Sequence, residues 1–249
     1  MYKLLAKFET MSTQAKAAFC FTFCSILQKG ISMITVPIFT RLLSTDEYGV
    51  YSIYLSWLNI LTVFTSLNLY YGVFNNAMLK YEDDRDRYTS SMQGLVTVVT
   101  SGVFIVYLLG RKVFNNLLGL STIFVLLMFI EMLVTPSLQF WSARQRFDYK
   151  YKTLAGITLV KSVLNPVVGI IAVLLSRDKA LARVASVVAV EVIFCGSIMV
   201  YQYIKGKSFY VKEYWKYSCE FSLPLIPHYL AGSILNQGDR VMIDNMVGK

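Results

Sequence analysis

The chain has 249 residues, of which 55% are apolar and only 16% charged, with a formal net charge of +9. An ordinary soluble domain carries about 25% charged residues, so a fold with water as its main solvent is excluded. The basic residues sit mostly between apolar runs, which fits membrane topology and contact with anionic lipids rather than nucleic-acid binding.

The N-terminal stretch Met1–Lys16 is short and amphipathic, without the apolar region and cleavage site of a signal peptide. A hydrocarbon core about 30 Å thick takes ~20 largely apolar residues per helix. On that measure the sequence predicts spans at Ala17–Phe39, Val50–Phe74, Ser90–Leu109, Leu117–Phe140, Leu154–Leu175, Val184–Ile204 and Leu223–Ile243. These are helices, because open strands leave backbone groups unsatisfied in lipid. The alternating pattern of a membrane barrel is absent. The predicted class is all-α, a polytopic membrane protein of about seven spans.

Lys and Arg set the orientation. The N-terminal tail (Lys3, Lys7, Lys16) and the loops after spans two, four and six carry fourteen of them. The alternate loops carry six, namely Arg41, Arg111, Lys112, Arg177, Lys179 and Arg183. The positive-inside rule places the N-terminus in the cytoplasm. The mixed-charge run Lys80–Arg87 reads as a solvated cytoplasmic connection. The stretch Trp141–Lys152 interleaves basic and aromatic residues and reads as an interfacial helix on the inner leaflet. Cys20, Cys24, Cys195 and Cys219 have no metal-type spacing and read as small packing residues. Pro37, Pro136, Pro166, Pro224 and Pro227 read either as plain kinks or as bending points of an alternating-access machine.

The hexapeptide Ser25-Ile26-Leu27-Gln28-Lys29-Gly30 recurs as Ser233-Ile234-Leu235-Asn236-Gln237-Gly238, in spans one and seven. Equivalent positions and a shared direction suggest two parallel halves of six helices. On that reading residues 1–216 form one six-helix lobe and 217–249 the first helix of a second, so the sequence is expected to be a fragment.

Ionisable residues inside the spans are Lys29, Glu131, Lys161, Glu191 and the pair Asp239-Arg240. A charge at mid-membrane costs about 2.5–3.5 kcal/mol, so each needs a partner or water. Lys29 lies ~15 Å from either end of its predicted span, too deep for easy snorkelling. It faces a cavity or pairs with Glu131 or Glu191. Lys161 either serves the cavity or reaches the headgroups. Glu131 and Glu191 are candidates for binding a coupling H+ or Na+, with Asp239 beside them. His228 reads as an interfacial structural residue. No catalytic constellation, phosphate-binding glycine loop or metal box is present, and no organic or metal cofactor is expected.

The stretch Ile34–Tyr51, with Pro37, Arg41 and the turn Ser44-Thr45-Asp46-Glu47-Tyr48-Gly49, resembles polysaccharide biosynthesis flippases. These are the O-antigen and capsule repeat-unit translocases of the multidrug/oligosaccharidyl-lipid/polysaccharide exporter superfamily. Ala143–Phe147 and Asn236–Arg240 are similar to the family too. The resemblance implies a two-lobed, inverted-V transporter in a bacterial inner membrane. It implies flipping of an undecaprenyl-diphosphate-linked oligosaccharide for surface polysaccharide assembly, in company with a polymerase and chain-length proteins. Lys29, Lys161 and Arg240 would then supply the cationic cavity for the diphosphate. A cation-coupled drug exporter, using the acidic residues, and a membrane-embedded glycan-assembly enzyme are the alternatives. The enzyme would need a large extracytoplasmic loop, and none is predicted.

Overall fold

Short polar residues cap the first two helices. In the computed structural model, which describes residues 12–247 and the side chains of 12–236, Ser12 caps α1 (Thr13–Leu42) by accepting from the Ala15 N–H. α2 (Thr45–Ser66) opens with a reciprocal box. Ser44 Oγ accepts from the Glu47 N–H at 3.3 Å, and the Glu47 carboxylate accepts from the Ser44 N–H at 2.7 Å. Two donors that a helix start leaves orphaned are thereby satisfied. The polar turn expected at Ser44–Glu47 is therefore mostly helix, and only Leu43 and Ser44 join the two elements.

α2 stops where Leu67 and Asn68 both adopt left-handed backbone. The second predicted span consequently ends at Ser66 rather than Phe74, and α3 (Gly72–Lys80) is a separate short helix. α4 (Arg85–Leu109), α5 (Arg111–Leu118), α6 (Thr122–Phe147) and α7 (Tyr151–Leu175) follow. Trp141–Lys152 is not an interfacial helix. Its first half is the end of α6, and α7 begins at Tyr151 after a short turn. α8 (Lys179–Glu191) passes through a π-helical segment, Val192–Gly196, into α9 (Ser197–Gly206). α10 (Lys212–Ser222), a 3-10 turn at Leu223–Leu225 and α11 (Ile226–Val247) are the last described elements.

Five described helices are long and apolar enough to cross a membrane: α1, α4, α6, α7 and the continuous run Lys179–Gly206. The chain is thus an all-helical, multi-pass membrane protein. α2 and α11 are each 22 residues, or ~33 Å at the helical rise. Polar residues dilute the apolarity of α2, and several of them, including Ser56, Thr65 and Ser66, are buried against neighbouring helices.

α6 runs through the interior and packs on α2, α4, α8 and α9, while α7 lies along both α1 and α8, and α2 along α11. Apolar attraction is weak between helices in lipid, so side-chain hydrogen bonds matter more. Gln93 donates to the Leu133 carbonyl at 3.3 Å, Gln202 to the Ser137 carbonyl at 3.0 Å, and Ser137 Oγ to the carbonyl of Cys195 in the π segment. α1 and α7 keep broad apolar faces exposed, with Phe23, Met33 and Ile34 on one and Val163, Ile171 and Leu174 on the other. In a bilayer those faces meet lipid.

Candidate binding groove

The last turn of α1 and the first turns of α8 are tied together by two cations four residues apart. Asp178 caps α8 by accepting from the Leu181 N–H at 2.9 Å, which fixes the helix start at Lys179. Lys179 Nζ then donates to the Leu42 carbonyl at 3.0 Å, satisfying one of the free acceptors at the end of α1. One turn further on, Arg183 lies over the ring of Phe39 on α1, 4.0 Å from guanidinium carbon to ring centroid.

Arg183 is only 6% exposed. Its Nη1 donates to Asn165 Oδ1 at 3.1 Å and its Nη2 to the Tyr51 hydroxyl at 3.3 Å. The Tyr51 ring lies beneath it at 5.2 Å. Its Nε is buried without a hydrogen-bond partner among the described residues. All of these contacts are neutral, and no carboxylate pairs with Arg183 among the described residues. A buried guanidinium held by an amide, a hydroxyl and two rings has no ion-pair partner in contact among the described residues, and the carboxylate that acts on it, Glu131, does so only through space.

The Arg183 charge borders a groove of about 500 Å³ between α1, α6, α7 and α8. α1 contributes a polar stripe at Gln28, Ser32 and Thr35, spaced so that they share one helix face. Lys161 and Asn165 of α7 are one turn apart, ~6 Å along the axis, and both line the groove. Arg146, at the end of α6, completes the set of three cations. Near it Asp148 accepts from Arg144 at 3.0 Å and Lys150 at 3.3 Å. Burial raises the Asp148 carboxyl, but the two cations outweigh it and hold the group below the ordinary carboxylate range.

Lys161 is placed ten residues inside α7, and it pairs with Glu191 at 2.7 Å. Cys195 donates to the same carboxylate at 3.0 Å. Glu131 is buried on α6 and accepts from the Tyr54 hydroxyl at 2.7 Å. Lys29 follows Gln28 on α1 but is exposed and not part of the groove lining. It makes no ion pair with Glu131, Glu191 or any other described carboxylate. Asp239 and Arg240 belong to α11, and their side chains lie outside the described residues.

Arg183 is the residue that sequence reading misplaced in a loop. Starting the sixth span at Val184 left it in the connection, yet Asp178, a strong helix-capping type, was the available signal that the helix begins at Lys179.

The family model described as "Polysaccharide biosynthesis protein" matches residues 15–249. No curated protein and no solved structure matches the chain.

Proposed function

Because this chain belongs to the polysaccharide biosynthesis protein family, we propose that it moves a polyprenyl-diphosphate-linked oligosaccharide from the inner to the outer leaflet of a bacterial cell membrane. The N-terminus is cytoplasmic on this reading, as the distribution of basic loops suggests. The protein acts as a transporter, not as an enzyme. The observation that carries the reading is Arg183, a buried cation whose hydrogen-bond partners among the described residues are all neutral, bordering a groove that also presents Lys161 and Arg146.

A diphosphate is the part of such a cargo that a bilayer core rejects, since charge is costly there. The polyprenyl tail can stay in lipid. Arg183 presents a planar fork of donors suited to phosphate oxygens, and Lys161 is one turn along α7 from Asn165, which accepts from Arg183. When the diphosphate reaches Lys161, it competes with Glu191 for the ammonium. Glu191, so released, takes up H+ or Na+, which gives that carboxylate, with Glu131 behind it, a coupling role. An acidic drug-binding site is the weaker reading, because neither Glu131 nor Glu191 lines the groove.

The test is transport by the purified full-length protein in proteoliposomes loaded with undecaprenyl-diphosphate oligosaccharide, read by lectin access to the outer leaflet. Wild type is expected to expose the glycan and Arg183→Gln to leave it hidden. Equal rates for both proteins would reject the reading.

A further inference from the structure

A second concavity, of about 280 Å³, opens between α2 and α11 at the break that follows Ser66. Its chemistry is the opposite of the cationic groove. No charged residue lines it among the described residues, yet most of its lining is polar. α11 contributes Tyr229, Ser233 and Asn236, which are spaced to share one helix face, and α2 contributes Asn59 and Thr62, one turn apart. The left-handed backbone at Leu67 and Asn68 ends α2 and turns the chain so that Tyr70 and Tyr71 close the rim.

The rings form a platform. Tyr71 stacks on Tyr229 at 5.8 Å with planes 23° apart, and Tyr70 packs against Tyr71 at 4.7 Å. Asn59 and Asn236 each spend one amide N–H on the carbonyl four residues earlier in their own helices, at 2.8 Å. That bond fixes the amide while leaving its oxygen and second N–H without a partner among the described residues. The hydroxyls of Tyr71, Tyr229 and Ser233 make no hydrogen bond among the described residues either. Among the described side chains, this ensemble of amides, hydroxyls and exposed ring faces without a charge is poorly matched to a phosphate or a cation. It matches a ligand that is itself uncharged, rich in hydroxyl and acetamido groups, and has C–H faces to lay on a ring.

We propose that the Tyr71–Tyr229 platform, with Asn59 and Asn236, is a subsite for the uncharged saccharide portion of the transported lipid. The proposal rests on the flippase reading above. Placement along α2 agrees with it. Tyr51, which holds Arg183, is eight residues from Asn59 on the same helix, ~12 Å at the helical rise. A diphosphate at Arg183 and a sugar at the Asn59 edge of the pocket would therefore be separated by a short run of saccharide. The groove supplies attraction for the invariant charged link, and this pocket supplies discrimination among glycans.

Native mass spectrometry of the protein in nanodiscs gives the test, because it resolves both lipids in one mixture. The probes are bare undecaprenyl diphosphate and the undecaprenyl-diphosphate oligosaccharide extracted from the cells that make it. Wild type should favour the glycosylated lipid. Tyr71→Ala combined with Asn236→Ala should remove that preference by about tenfold, equivalent to ~1.4 kcal/mol, with binding of the bare lipid unchanged. Tyr71→Phe keeps the ring face and should retain most of the preference. Tyr71 and Asn236 are both exposed, and retained binding of the bare lipid reports that the double variant is folded. A preference equal in wild type and double variant, or no preference in wild type, overturns the subsite while the flippase reading stands. Failure of wild type to bind either lipid overturns the flippase reading itself.

Discussion

Gly169 of α7 and Arg183 of α8 share one volume: a methyl group at residue 169 would overlap the Arg183 guanidinium and the Phe39 ring. The absent side chain is what lets the cation lie flat between two helices. Gly169→Ala gains about 1 kcal/mol of helix propensity and loses about 1–3 kcal/mol to overpacking, so the net change in stability is small. The nearest obstacle is the end of a flexible side chain, and Arg183 is displaced instead of the backbone. Thermal unfolding in detergent should shift only a few degrees while transport falls severalfold. Gly102→Ala, where an added methyl meets nothing within 4 Å, should leave transport unchanged.

Lys161 and Glu191 form an ion pair in which Glu191 is buried and Lys161 borders the groove. Removing one partner of a fully buried pair leaves an uncompensated charge and costs about 3–5 kcal/mol, which is the upper limit here. Lys161→Met and Glu191→Gln should each lower the unfolding midpoint strongly. The double variant should recover most of the loss, because neither charge remains to be solvated. It should still fail to transport. A double variant whose loss equals the sum of the two single losses would show that the 2.7 Å contact contributes little.

Asp148 bridges Arg144 and Lys150 at the turn between α6 and α7. Its folded pKa lies below the ordinary value, so its stabilisation is complete above the ordinary carboxylate range and disappears as pH falls through the folded value. The effect is about 0.2–1 kcal/mol for a pair at a protein surface. Asp148→Asn should lower the midpoint near neutral pH and abolish this part of the acid sensitivity. An unchanged pH profile in Asp148→Asn would assign the sensitivity to another group.

Composition alone made the helical, membrane-spanning class legible, because ~20-residue apolar runs have few other solutions. The limits of α1 and α7 were close to expectation for the same reason. The end of α2 was not, since Leu67-Asn68 carries no glycine or proline to announce a left-handed break. Lys161 was visible as an intramembrane cation, and its partner was among the carboxylates already singled out. Arg183 was not visible, because hydropathy trims a charged residue from the end of a span even when a cap places it inside the helix. Lys29 drew attention by its depth, yet depth along an axis says nothing about which way a residue faces. Residues 25, 28, 32 and 35 take the groove side of α1, and Lys29 falls beside that stripe. The aromatic pocket of α2 and α11 was illegible for another reason: its halves are far apart in sequence and each looks like ordinary helix-interface polarity.

Binding of undecaprenyl diphosphate to the protein in nanodiscs tests the assignment of the anion site to Arg183 most directly. Arg183→Gln should weaken binding by at least about tenfold, or ~1.4 kcal/mol, and Arg183→Lys should keep part of the affinity because charge survives without the planar fork. Lys29→Ala, at an exposed position outside the groove lining, should bind as wild type does. Wild-type affinity in Arg183→Gln, with the loss appearing in Lys29→Ala instead, would contradict the account.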